Sequence, residues 1–317
     1  MSLSINERLD FFETNYDPIA TYHLDKGGKL YIGNDDKKCR FCGETEPNVT
    51  FSNVAHAVPE FLGNKQLILK NECDTCNTFV SENLENDLDK YTKPFRLAAQ
   101  IKGKKKVPSY KTKDKKSRFE FSSSEGAKII DREDSKFANL DIENKSIETN
   151  FHLEPHRPSA VFKCLVKIAL SVIDDVELSK FTNTISWLLE PDHSKTICKP
   201  QILLNAFIPG PKPNKAVTII VLRRKAESVV APYCHLVICF GNIAYQIVVP
   251  SDVDITNGTQ TVKLYRFPLP FEDNRKYGNI KFGQEDLTNH EVVRDKMLPM
   301  SFSFDEAIKL DPSTVSL

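Results

Sequence analysis

At 317 residues, with 40% hydrophobic and 27% charged content, the chain is an ordinary globular sequence long enough to bury a sizeable core. Its 43 basic and 43 acidic residues cancel, so net charge points to no polyanionic partner and any such contact must be local. The start, MSLSINERLDFFETN, lacks the basic and apolar regions of a signal peptide, and the apolar run AVFKCLVKIALSVI is short and broken by lysines. No membrane span is expected, and the expected setting is the cytosol, where paired cysteines read as metal ligands or redox groups rather than disulfides.

In chain order, NERLDFFETN reads as a short helix and KLYIGN as a strand. A cysteine-rich segment follows. After Asn77, apolar residues at Phe79, Leu84, Leu88, Tyr91, Phe95 and Leu97 have helical spacing, and Pro94 predicts a break, giving a helix over about 76–90 and a second short segment. The basic stretch IKGKKKVPSYKTKDKKSR, with Gly103 and Pro108 as breakers, reads as a linker or domain edge. RFEF, AKIIDR, NLDI and ETNFHLE read as strands, RPSAVFKCLVKIALSVI as a buried helix with Pro158 at its start, and ELSKFTNTISWLLE as an amphipathic helix. QILLNAFI, AVTIIVLRR, HLVICFG and AYQIVVP are β-branched, apolar strands. The expected organisation is an α+β chain: a zinc-braced module within residues 1–110, then a mixed domain over 118–317.

Cys39/Cys42 and Cys73/Cys76 form two Cys-x-x-Cys pairs, each able to present two thiolates to one metal through a tight turn; together they complete a tetrahedral zinc site. A redox role needs only one pair and a thioredoxin-like context that is missing here. Such a closed site has no open position for substrate, so chemistry must come from elsewhere. His56 lies between the pairs on a strand-like segment, and Asn77 directly follows the last cysteine. One zinc shared by both pairs would pin the strand against the helix start and bring His56 near Asn77. A histidine beside a metal-ligating side chain on such a brace suits phosphodiester hydrolysis, with imidazole as base and a hard ion such as Mg²⁺ on the phosphate.

The motifs CRFC, AHAVPEFLGN and ECDTCN together resemble the HNH endonucleases, the ββα-metal nucleases, in their four-cysteine subgroup; the resemblance spans roughly residues 39–90. It implies a ββα-metal module in which His56 is the general base and Asn77 a ligand of the catalytic divalent ion. The middle asparagine, which shapes the histidine loop, is Asn71 or Asn64, with Asn71 preferred for its position before the second knuckle. Many members carry an acid directly before the base; here that residue is Ala55. Glu85, two turns beyond Asn77, is the replacement ligand offered, with Glu82 and Glu60 as further candidates.

Arg96, Lys102, Lys104, Lys105 and Lys106 follow this helix and are candidate DNA phosphate contacts that would not read sequence. The remainder carries no recognisable catalytic motif. By analogy with bacterial defence effectors, an HNH module joined to a larger domain implies control by a ligand, a partner protein or a second copy of the chain. Two readings follow: a metal-dependent DNA endonuclease, or a zinc-stabilised nucleic-acid or protein-binding module that has lost catalysis.

Overall fold

The computed structural model describes residues 3–25, 27–104, 106–122, 126–132, 134–135, 137–226, 231–256, 264–270, 272–273 and 276–308. Helix α1 (Ile5–Asn15) opens with a reciprocal capping box between Ser4 and Glu7. It leads into β1 (Tyr16–Leu24), which the sequence reading missed because Pro18 sits inside it. β1 is an edge strand, and its register slips between Pro18 and Ala20, where proline's missing donor is tolerated.

The next unit is small. β2 (Leu30–Ile32), β3 (Ala55–His56) and β4 (Leu67–Leu69) form a sheet in the order β2-β4-β3, with β3 antiparallel to β4. Helix α2 (Asp74–Val80) follows, then a π turn over Ser81–Glu85 and α3 (Asn86–Ala98). The predicted break at Pro94 does not occur: the proline lies within α3. Burial of Leu88 and Leu97, worth about 1.5–3 kcal/mol each, offsets the roughly 3 kcal/mol that an internal proline costs.

Beyond it, β5 (Tyr110–Lys111), β6 (Ser117–Ser122) and β7 (Gly126–Asp131) make one antiparallel sheet. β8 (Ala138–Asp141) and β9 (Ser146–His152) belong to another. Helix α4 (Pro158–Val172) starts on Pro158 and is buried along its whole length. The predicted second helix is divided into α5 (Asp175–Leu178), a 3-10 turn and α6 (Thr182–Leu188). β10 (Ile202–Phe207), β11 (Asn214–Arg224), β12 (Cys234–Gly241) and β13 (Ile243–Val249) are the four expected strands. After α7 (Asp252–Thr256) come β14 (Lys281–Asp286) and β15 (Met297–Ser303), the latter pairing with β9. The central sheet has the order β1-β11-β12-β13-β10-β14.

The architecture is α+β, with the cysteine-rich unit near the N-terminus and the larger sheets mostly after it. A cut between residues 110 and 118 would nonetheless divide the β5–β6 pairing and strip β1 from the central sheet. One apolar cluster runs from Ala20 through Cys39, Leu69 and Leu84 to Leu165, Ile219 and Leu287, so the small unit shares its core with the rest. Polar contacts cross the same boundary. The buried Arg40 guanidinium donates to the carbonyls of Ser171 (3.1 Å) and Ile173 (2.8 Å), capping the end of α4. Among the described residues, no helix is long and apolar enough to cross a membrane.

Candidate active site

The two cysteine pairs converge. The sulfurs of Cys39, Cys42, Cys73 and Cys76 all lie within 4.8 Å of one another, and Cys42 and Cys73 are 3.8 Å apart. Tetrahedral zinc with bonds of about 2.3 Å would set its sulfurs about 3.8 Å apart, so the group is compatible with zinc. The Cys73 N–H donates to Cys39 Sγ (3.4 Å) and the Cys76 N–H to Cys73 Sγ (3.5 Å), contacts that steady thiolate ligands. Asp74, at the start of α2, accepts from the Thr50 hydroxyl and from the N–H groups of Ser52 (3.0 Å) and Asn53 (2.8 Å). These bonds, the Thr50 one foremost, hold its pKa down and tie the approach to β3 onto the helix.

His56 ends β3 opposite Ile68 of β4. Its side chain is 21% exposed, Nδ1 is buried, and Nε2 stands 4.0 Å from Glu60 Oε2. That gap is too long for a direct hydrogen bond and short enough for one water to touch both groups. Burial is the main force pushing the His56 pKa below 6.5; Glu60 opposes it, and Lys167, Lys29 and Lys104 reinforce it. A neutral, partly exposed imidazole is the form a general base requires. Glu60 itself lies in a short 3-10 turn (Glu60–Leu62) closed by Gly63 at φ +106°, where a glycine is needed.

Asn64, rather than the preferred Asn71, holds the histidine loop. Its Nδ2 donates to the carbonyls of Val58 (2.7 Å) and Leu67 (3.2 Å), and its Oδ1 accepts from the N–H groups of Gln66 and Leu67, both at 2.9 Å. A completely buried side chain thus uses all its hydrogen-bonding capacity to close the loop between His56 and β4. Asn71 lies at the far end of β4, with its side-chain oxygen against Gly33; a Cβ on Gly33 would come within 2.0 Å of that oxygen. Proximity to the knuckle was the wrong criterion; the carbonyls needing a donor are those of the loop.

Asn77 is half-buried on α2 and Glu85 half-buried at the end of the π turn. In an unbroken α-helix, residues eight apart would point about 80° away from one another; a π turn absorbs one extra residue and reduces this to about 20°. Burial is the main cause of a raised Glu85 pKa, and the charges of Glu72, Asp89 and Glu60 add to it while Lys167 opposes it. Lys167 and Glu60 thus act on both Glu85 and His56. Among the described residues, only the four cysteines gather as three or more mutually close His, Cys, Asp or Glu ligands. Ala55 is buried and supplies no ligand.

Arg96 is not a surface contact. It is 3% exposed, pairs with Asp89, donates to Thr92 Oγ1 (3.1 Å) and lies 5.0 Å from the centre of the Phe61 ring. It braces the loop carrying Glu60. Lys102, Lys104 and Lys106 are exposed, and Lys105 lies outside the described residues. Their loop adjoins the histidine loop, since a Cβ on Gly103 would stand 3.6 Å from Phe61 Cα.

A zinc-compatible cysteine knuckle, a short antiparallel β3–β4 pair with a histidine, and a helix entered from the last knuckle now stand together. Residues 39–92 match the HNH endonuclease family. The HNH match covers both knuckles, the His56 loop, α2, the π turn and the first half of α3, a minor part of the 317 residues. No curated protein matches the chain. No solved structure matches it. This similarity, confined to residues 39–92, suggests the nuclease family and nucleic-acid binding for that segment.

Sequence reasoning missed the support behind this segment. Lys167, which reaches the HNH segment from α4, was read only as an interruption of an apolar run. Ser159, Lys163, Lys167 and Ser171 recur at four-residue spacing along one side of α4, a polar stripe that the fold buries.

Proposed function

We propose that the protein is a metal-dependent endonuclease that hydrolyses DNA phosphodiester bonds, with His56 as general base. The observation carrying this reading is the partly exposed His56 imidazole, its pKa lowered by burial, 4.0 Å from Glu60 within a segment matched to HNH endonucleases. His56 Nε2 takes a proton from water, and Glu60 orients that water and supports the imidazolium. The four cysteines hold a structural zinc ion. Glu60, Asn77 and Glu85 are the side chains that would hold Mg²⁺ or another divalent ion. Their fit rests on the donor set, two carboxylates and an amide oxygen, which are the hard oxygen ligands such an ion takes, with Glu85 half-buried at the end of the π turn. Hard cations commonly take one or two protein carboxylates and complete their shell with water and substrate phosphate. When bound, the ion would neutralise phosphate charge and stabilise the leaving oxygen. Lys102, Lys104 and Lys106 contact flanking phosphates.

Incubating supercoiled plasmid with the protein and Mg²⁺, Mn²⁺ or Ni²⁺ tests this reading. Nicking that requires added metal, at constant zinc content, is expected. DNA retention without nicking under every metal would favour the second reading, a zinc-stabilised binding module without catalysis. Its specific support is the buried Ala55 at the position where many HNH members carry an acid.

A further inference from the structure

Lys167 is buried in α4, 1% exposed, and its ammonium reaches back into the HNH segment. Nζ donates to the main-chain carbonyl of His56 (3.0 Å) and pairs with Glu72 Oε2 (2.8 Å). It also lies 5.8 Å from the centre of the Phe41 ring. Glu72 immediately precedes Cys73, and Phe41 lies between Cys39 and Cys42. One ammonium group therefore touches the residue proposed as base, the approach to the second cysteine pair and the turn of the first. Desolvating a lysine is costly, and an apolar residue would fill the same space in an apolar helix. The geometry offers a reason for keeping the charge. β3 is only two residues long, so strand pairing alone holds His56 weakly, and the Lys167 bond fixes the carbonyl at its end.

We infer that Lys167 is a positioning residue for His56: it sets the main chain of the base against the zinc knuckle from a helix outside the HNH segment. α4 packs on β12 and β13, so this bond connects the base to the central sheet. The catalytic consequence rests on the endonuclease reading; the geometric claim does not.

The test compares Glu72→Gln with the double variant Lys167→Met/Glu72→Gln. Both remove the buried carboxylate, so neither strands an unpaired negative charge, and only the double variant loses the donor to the His56 carbonyl. Zinc content and circular dichroism establish that both fold; should the double variant not fold, Lys167→Arg, which keeps charge and donors, takes its place beside wild type. Two quantities are read: the His56 imidazole signals in protein labelled with ¹⁵N-histidine, assigned with His56→Ala, and kcat and KM for plasmid nicking. The expected result is a shift and broadening of the His56 signals in the double variant alone, with kcat about 10- to 100-fold below that of Glu72→Gln and KM unchanged. In the substitute comparison, Lys167→Arg is expected to shift the same signals and to retain part of the wild-type kcat. Unchanged His56 signals would overturn the inference whether or not the protein cuts DNA. Shifted signals with unchanged kcat would overturn the catalytic role. A wild-type protein that nicks no DNA under any metal rejects the endonuclease reading, and the His56 signals then still decide whether Lys167 positions that residue.

Discussion

The cysteine knuckle and the His56 loop lie in the same short segment and are built by opposite rules. The knuckle is closed: four sulfurs within 4.8 Å of one another, from two pairs of residues three apart. The His56 side is open: one imidazole and one carboxylate 4.0 Å apart, with a half-buried acid nearby and a solvent-facing edge. A structural metal site must satisfy its ion alone, so its whole ligand set is written locally. A site that completes itself with water, an ion and substrate phosphate needs only part of its shell, and its remaining support comes from distant chain.

Removing the zinc proposed for the four cysteines is the strongest way to break this contrast. Zinc in small thiolate sites contributes roughly 10–16 kcal/mol of apparent binding free energy at neutral pH. Chelation, or Cys76→Ser, is expected to abolish nicking together with the structure of residues 39–92, followed by hydrogen exchange. Retained exchange protection in zinc-free protein would show that the shared core suffices alone.

The two asparagines sharpen the comparison within the loop. Asn64→Ala takes the side-chain partner from the Val58 carbonyl and from the Gln66 and Leu67 N–H groups, while the Leu67 carbonyl keeps the Ala57 N–H, and is expected to cost about 3–5 kcal/mol, at roughly 1–3 kcal/mol per unsatisfied group after partial relaxation. Asn71→Ala removes contacts against Gly33 and is expected to cost less than about half as much in denaturant unfolding. Equal costs would contradict the loop assignment.

Glu60→Gln tests the open side without touching the closed one. It is expected to lower nicking about 10- to 100-fold at unchanged zinc content and unfolding midpoint. On the surface, changing Lys102, Lys104 and Lys106 to Gln is expected to weaken DNA binding at low salt and to flatten the log–log salt slope by about 2–3. Arg96→Ala should instead lower the melting temperature, because Arg96 braces Phe61 from inside.

The smallest effect is a matter of pH. His56 has a folded pKa below its usual 6.5, so it stays neutral further into acid than a free histidine. The acid limb of kcat/KM is therefore expected below pH 6.5. By linkage, the unfolded chain binds this proton more readily, so His56 contributes stability that is present above pH 6.5 and is lost as pH falls toward its folded pKa. A limb above pH 7 would contradict a base kept neutral by burial.

The same contrast explains what could be read from the sequence. The knuckle, the buried α4 and the strands β10 to β13 rest on local spacing or on runs of one residue class, and the reading recovered them. Asn64 was weighed and passed over, because its role depends on which carbonyls the folded loop leaves without donors. Arg96 and the helix through Pro94 were misread because tertiary burial overrode a local charge and a local breaker. Lys167 acts across 111 residues of chain, and no local pattern names its partner. β1 was missed for a related reason: only its pairing with β11 makes a proline-bearing segment a strand.

The central proposal is that His56, beside the four-cysteine knuckle, acts as the base in DNA cleavage. Single-turnover nicking of supercoiled plasmid by wild type and His56→Ala, both with full zinc content and unchanged circular dichroism, tests it most directly. Wild-type nicking that falls by about 10²- to 10⁴-fold in the variant is the predicted result. Equal nicking by the two proteins, after removal of contaminating nuclease, would contradict it.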